Sequence, residues 1–139
     1  MVVDDEPHIR MLMEETLEPL EDEGVSIFFA KDGREGLDTI RRERPGLVFL
    51  DVMMPHLNGY QVCELVKADP ALCGACIVML SAKGQEVDRI RGEAAGADVY
   101  MTKPFSPREV LASARRLMGL TGAAGAVEPA DSGEKDFDS

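Results

Sequence analysis

Residues 45–59 read Pro-Gly-Leu-Val-Phe-Leu-Asp-Val-Met-Met-Pro-His-Leu-Asn-Gly. Leu47, Val48, Phe49 and Leu50 are an unbroken apolar run, opened by Pro45-Gly46 and ended by Asp51. A short run without polar alternation predicts a strand buried on both faces, the kind found in parallel sheets. Asp51 is then the first polar group past the carboxyl end of that strand, with turn residues from Pro55 to Gly59 behind it.

Four other runs share this character: Met1–Val3, Val25–Ala30, Ile77–Leu80 and Val99–Met101. Between them the apolar spacing is helical. Ile9, Leu12, Met13, Thr16, Leu17 and Leu20 make one stripe, and Gly36, Leu37, Ile40 and Arg41 lead to a stop at Pro45. Val62, Leu65 and Val66 precede Pro70, and Val87, Ile90 and Ala94 precede Gly96. Ser106-Pro107-Arg108-Glu109 reads as an N-cap, a first-turn proline and a capping-box glutamate, opening a last helix that runs to Gly119. Five strands alternating with five helices predict an α/β, doubly wound, five-stranded parallel sheet covered on both faces.

The 139 residues and 15.1 kDa suit one domain, and 45% hydrophobic with 29% charged residues suits a globular chain. A net charge of −11 argues against a nucleic-acid or anionic-membrane surface, whose affinity comes from basic patches. No apolar run approaches the ~20 residues that span a bilayer, and Met1 to Glu6 is too short and acidic for a signal peptide. The expected compartment is the cytoplasm. From Thr121 to Ser139 the chain turns small, polar and acidic, with Phe137 its only large apolar residue. The expected division is a domain over 1–119 and a disordered acidic tail or linker over 120–139.

Ligands of such sheets sit at the carboxyl ends of the strands. Four of the five ends carry converging polar groups: Asp4-Asp5, Asp51, Ser81 and Lys103. Crowded carboxylates raise one another's pKa unless a cation sits among them, and hard oxygen ligands favour Mg²⁺. A carboxylate also attacks phosphorus, provided the phosphoryl oxygens are neutralised by a metal, an ammonium and a hydroxyl donor. Asp51 is the candidate nucleophile, Asp4 and Asp5 the metal ligands, and Lys103 and Ser81 the phosphoryl-binding pair.

Asp4-Asp5-Glu6-Pro7, Asp51-Val-Met-Met-Pro55 with Asn58-Gly59, Ser81-Ala82-Lys83, and Gly96-Ala97-Asp98 through Tyr100 to Lys103-Pro104-Phe105 together resemble a response-regulator receiver domain. The resemblance covers roughly residues 1–119. It implies the CheY-like strand order 2-1-3-4-5 and a phosphorelay role. Asp51 would take a phosphoryl group from a histidine kinase or histidine phosphotransfer protein. Mg²⁺ would sit on Asp5, Asp51 and the backbone carbonyl of Met53, with Asp4 assisting through water. Ser81 and Lys103 would hold phosphoryl oxygens, and Tyr100 would be the switch aromatic that turns inward once Ser81 has moved. Pro104 would follow a cis peptide, Met53 and Lys83 would tune the phosphoryl lifetime, and an apolar Met53 implies slow self-hydrolysis. The fourth helix, fifth strand and fifth helix would form the face that meets a downstream protein. Apart from its own phosphorylation and dephosphorylation, no enzymatic activity is expected.

Plainer roles compete at several positions. Asp4 or Asp5 also suits a cap on the first helix, and Tyr100 also suits core packing. The first strand, three residues before Asp4, is shorter than the family pattern, through an upstream start or a short strand. Cys73-Gly74-Ala75-Cys76 fits a plain loop better than a redox dithiol or half a zinc site, with Cys63 the only other cysteine. The methionines, among them Met53, Met54, Met79 and Met101, read as core filler. Arg89 and Glu109 supply one acid–base pair for a homodimer, while Val99 and Ser113 stand where another would fall. The chain therefore fits a single-domain regulator, or the receiver of a longer regulator with an enzymatic or DNA-binding output. The rival class is an Mg²⁺-dependent phosphohydrolase with an aspartate nucleophile, disfavoured because Met53 stands where its second acid belongs.

Overall fold

Strands that are apolar on both sides must be covered on both sides, and the chain meets that demand by alternating strand and helix. The computed structural model describes residues 1–82, 86–103, 105–119 and 134–136, with residues 82, 86–89 and 134–136 described by backbone only. In chain order the elements are β1 Val2–Val3, α1 Pro7–Asp22, β2 Phe29–Ala30, α2 Gly33–Glu43, β3 Leu47–Asp51 and α3 Gly59–Ala68. They continue with β4 Cys76–Ala82, α4 Glu86–Ala95, β5 Val99–Lys103, α5 Pro107–Leu117 and β6 Glu134–Asp136.

The five expected strands pair in parallel in the order β2-β1-β3-β4-β5. A sixth, β6, adds antiparallel to the outer edge of β5. Residues 120–139 were expected to form a disordered acidic tail or linker; 120–133 and 137–139 lie outside the described residues, while Glu134–Asp136 pair as a strand. The reason is that an edge strand offers unpaired N–H and C=O groups, so backbone pairing needs no apolar side chain.

Strand alternation divides the core in two. Val3, Val48, Leu50, Ile77 and Met79 face α2 and α3, meeting Leu37, Ile40, Val62 and Val66. Val2, Phe49, Val78, Leu80 and Met101 face α1 and α5, meeting Met13, Leu17, Leu20, Val110 and Ala114. Each large side chain so buried contributes about 1.5–3 kcal/mol. The Ser106–Glu109 capping box forms as the sequence predicts, with the Glu109 amide donating to Ser106 Oγ at 3.1 Å.

Some expectations shift. The Val25–Ala30 run pairs only at Phe29–Ala30, because its partner β1 is itself only two residues long. Leu65 and Ile90, assigned to buried stripes, are 43% and 58% exposed, and Ala95 and Ala97 fill the α4 side of the core instead. Met53 and Met11 are also exposed, whereas Met13, Met79 and Met101 are buried as core filler should be.

Candidate functional site

Strand register decides which strand ends meet. Val3 lies opposite Leu50, so Asp4 and Asp51 emerge side by side from β1 and β3. Asp51 pairs with Leu80, Ser81 with Thr102 and Ala82 with Lys103. Four groups distant in sequence thus share one edge of the sheet. Asp4, Asp5 and Asp51 each offer a carboxylate oxygen, and the three oxygens lie within 4.8 Å of one another.

Lys103 reaches back over the acids. Its Nζ lies 3.0 Å from Asp4 Oδ2 and 3.2 Å from Asp51 Oδ1, with Glu6 Oε1 farther off at 3.7 Å. Asp4 is fully buried and Asp51 nearly so. Burial pushes the Asp51 carboxyl up to about 7 and the neighbouring charge of Asp4 adds to the rise, while Lys103 opposes it. Burial alone would lower the Lys103 ammonium, but Asp51 and Asp4 outweigh it and hold its pKa above the usual lysine value. One ammonium therefore compensates two buried carboxylates incompletely.

Asp4 does two jobs. Its Oδ1 accepts the Glu6 amide at 2.9 Å, closing the turn before α1, whose N-cap is Glu6 with no side-chain cap bond, so neither Asp4 nor Asp5 caps the helix as the plainer role expected. Its carbonyl accepts from Arg10 Nη1 at 2.7 Å. Its Oδ2 is buried beside the Lys103 ammonium with no hydrogen-bond donor aligned on it. A buried carboxylate oxygen of this kind, grouped with two others, suits a hard divalent cation.

The loop from β3 to α3 is held against the nucleophile's own backbone. Asn58 and Gln61 form a reciprocal capping box at 2.9 Å, and the Gly59 amide donates to the Val52 carbonyl at 2.9 Å. A Cβ added at Gly59 would lie 2.3 Å from the Asp51 carbonyl oxygen, so only glycine allows this approach.

On the other side of the edge, Ser81 Oγ donates to Tyr100 Oη at 2.6 Å, and both side chains are buried. The tyrosine is inside the core, packed in the layer that contains Val48 and Ala97. Core packing and a bond to the candidate switch hydroxyl hold at once. Pro104 and Lys83 lie outside the described residues, as does the side chain of Arg89.

Three features had no role assigned in the sequence reading. Glu6 is a further acid within reach of Lys103. Lys67 donates to the Ala75 carbonyl at 2.7 Å and to Asp98 Oδ2 at 2.8 Å, and Asp98 accepts the Ile77 amide at 2.8 Å, pinning the starts of β4 and β5. Gly59 was quoted only as turn chemistry. None of these contacts has a local sequence signature, since each depends on two or three elements meeting. The cysteines stay apart from this chemistry: none forms a disulfide, and burial pushes the Cys63 thiol up to about 12. Among the described residues the metal-capable group is the aspartate trio. A cavity of about 350 Å³ lies at the opposite end of the sheet, lined by Leu17, Leu20, Ile27, Leu47 and Met118 among others.

The model of the response regulator receiver domain matches residues 1–115. The chain belongs to that family. It is 42% identical over 118 residues to the alkaline phosphatase synthesis transcriptional regulatory protein PhoP of Bacillus subtilis, covering 85% of this chain and 47% of PhoP. It is 40% identical to PilG of Pseudomonas aeruginosa, covering 80% of each. The chain spans about half the length of the transcriptional regulators it matches. Among solved structures, a putative response regulator from Chloroflexus aurantiacus superposes with a TM-score of 0.76 at 30% identity, covering 85% of this chain and 94% of that one. The chemotaxis response regulator CheY4 of Vibrio cholerae gives 0.74 at 30%, covering 84% and 94%. The protein is thus a receiver of two-component signalling with the CheY-like fold.

Proposed function

We propose that Asp51 accepts a phosphoryl group from a phosphohistidine on a histidine kinase or histidine phosphotransfer protein, in an Mg²⁺-dependent reaction. The observation that carries this reading is the single Lys103 ammonium, 3.0 and 3.2 Å from the buried carboxylates of Asp4 and Asp51. In the transfer, an Asp51 carboxylate oxygen forms a bond to phosphorus as the P–N bond to the imidazole breaks, and the nitrogen keeps the bonding pair. Asp5, Asp51 and the Met53 carbonyl, with Asp4 assisting, would hold Mg²⁺, which would supply positive charge to the phosphoryl oxygens. Lys103 pairs with one such oxygen. The Ser81 hydroxyl leaves Tyr100 for another, and Tyr100 passes that change to β5. The face built from α4, β5 and α5 then meets a downstream protein, and the exposed Ile90 on α4 suits such a contact. Met53, 72% exposed and unable to position water, favours a long-lived acyl phosphate. Lys83 shares that tuning role, and a homodimer through the same face is compatible.

The protein is read as acting in the cytoplasm; no described helix is long and apolar enough to cross a membrane. A second reading makes the chain the receiver of a longer regulator, supported by its covering about half of each transcriptional relative. Hydrolysis of external phosphoesters is not favoured, because no acid stands two residues beyond Asp51.

The test is phosphoryl incorporation from acetyl phosphate, read by intact mass on wild type and Asp51→Asn. An adduct that needs Mg²⁺ and disappears in the variant supports the reading. A folded wild-type protein that takes no phosphoryl group overturns it.

A further inference from the structure

The outer edge of β5 is occupied by the chain itself, and what that edge accepts is informative. Asp98 donates its amide to the Ile77 carbonyl on β4. Strand alternation then turns the N–H and C=O of Tyr100 toward β4, and those of Val99 and Met101 away from it. Across that outward side runs β6, antiparallel, with Val99 opposite Asp136, Tyr100 opposite Lys135 and Met101 opposite Glu134. Its sequence, Glu-Lys-Asp, has no apolar residue, so backbone pairing carries the contact. The segment is short, and strands of three residues are readily displaced. It is joined to α5 through residues 120–133, half of them Gly or Ala. A tether of this kind keeps the segment's effective concentration high without adding contacts.

We propose that the outer edge of β5 is a docking site for an extended peptide, added antiparallel as a sheet strand through backbone pairing, and that residues Glu134–Asp136 of the same chain are its resident occupant. Only the significance of the location rests on the receiver reading, since β5 is the middle of the face assigned to the downstream protein. A partner of this chemistry must compete with the tail, so the tail sets a threshold for its binding.

The experiment uses the full chain without any phosphoryl donor, so its failure leaves the Asp51 chemistry to be judged separately by mass. The probe is a fluorescein-labelled peptide of residues 130–139, and its anisotropy is read against wild type and a Glu134→Pro/Asp136→Pro variant. Proline at both positions removes the donors that face Val99 and Met101. The peptide is expected to bind the variant at least about tenfold more tightly than wild type, because the edge is open. Equal binding to both proteins, or binding to neither, overturns the proposal. Amide exchange supplies the second readout. The Val99 and Met101 amides should exchange about tenfold faster in the proline variant, with Tyr100 unchanged, and should keep their protection in Glu134→Gln/Asp136→Asn. Loss of protection in the charge-neutral variant assigns the contact to charge and overturns strand addition. Protection in wild type that disappears on dilution assigns the edge to the tail of a second copy and overturns the intramolecular occupant.

Discussion

The two halves of the strand-end edge are built on opposite principles. On β1 and β3 the groups are charged, buried and incompletely compensated: Asp4 and Asp51 share one ammonium, and Asp51 is pushed up to about 7 by burial and by Asp4. On β4 and β5 the groups are neutral and matched, with Ser81 bonded to Tyr100 at 2.6 Å inside the core. Under the proposed function the charged half takes up a cation, which relieves a cost already present in the fold, and that cation in turn offsets the charge a phosphoryl group adds. The neutral half is poised to hold a conformation, because leaving it breaks a satisfied bond. The two halves are thus separated by electrostatics, with Lys103 on β5 reaching into the charged side.

The sharpest way to break this contrast is to remove its bridge. Lys103→Met leaves two buried carboxylates without a counter-charge, and losing one partner of a buried pair costs about 3–5 kcal/mol. The loss should be largest near pH 8 and smaller near pH 5, where Asp51 takes a proton. Urea unfolding at both values checks it, and a pH-independent loss would mean that the ammonium does not carry the electrostatic balance. Gly59→Ala tests whether the charged half also depends on backbone fit. Its Cβ would sit 2.3 Å from the Asp51 carbonyl, so the α3 entry must shift, at about 1–3 kcal/mol, and phosphorylation from acetyl phosphate should slow.

Acidity offers a third test. The folded pKa of Asp51 is raised from 3.8 to about 7, so keeping it ionised costs stability as pH rises through that window. The metal-free protein should lose the Asp51 contribution between about pH 4 and 7, and Asp51→Asn should flatten that portion of the curve. Mg²⁺ must displace the same proton, so its affinity should weaken about tenfold per pH unit below 7. Calorimetric titration at pH 5 and pH 8 reads this, and equal affinities would place the cation away from Asp51. The smallest effect belongs to the neutral half. Tyr100→Phe keeps the packing and removes the bond to Ser81, costing about 0.5–1.5 kcal/mol. Mg²⁺ affinity should be unchanged; a variant that also loses Mg²⁺ would show the two halves to be one unit.

Legibility followed the same division. The apolar runs ending in Asp4-Asp5, Asp51, Ser81 and Lys103 mark both the sheet and its edge, because buried parallel strands and polar strand ends leave a local trace. The helical stripes were legible in α1 and α5 but misjudged at Leu65 and Ile90. A helix bordering one face of a sheet buries a narrower arc than its apolar residues suggest. Met53 misled in the same way: it is exposed, while Met54 and Leu57 of the same loop are the ones that pack against the core.

What the sequence determined by itself is the alternation of strand and helix, the strand order through its family resemblance, and the identity of the groups at the strand ends. Each of these is written in residues near one another or in a motif with fixed spacing. Tertiary structure alone decided how those groups balance. That one ammonium faces two carboxylates, that Gly59 rests on the Asp51 carbonyl, and that Ser81 is bonded to Tyr100 depends on register between strands. It alone decided, too, that Glu134–Asp136, a segment without apolar side chains, adds a strand to β5. Hydrogen-bond geometry and burial arise only when distant segments meet, and it is chiefly burial that pushes the Asp51 carboxyl up to about 7.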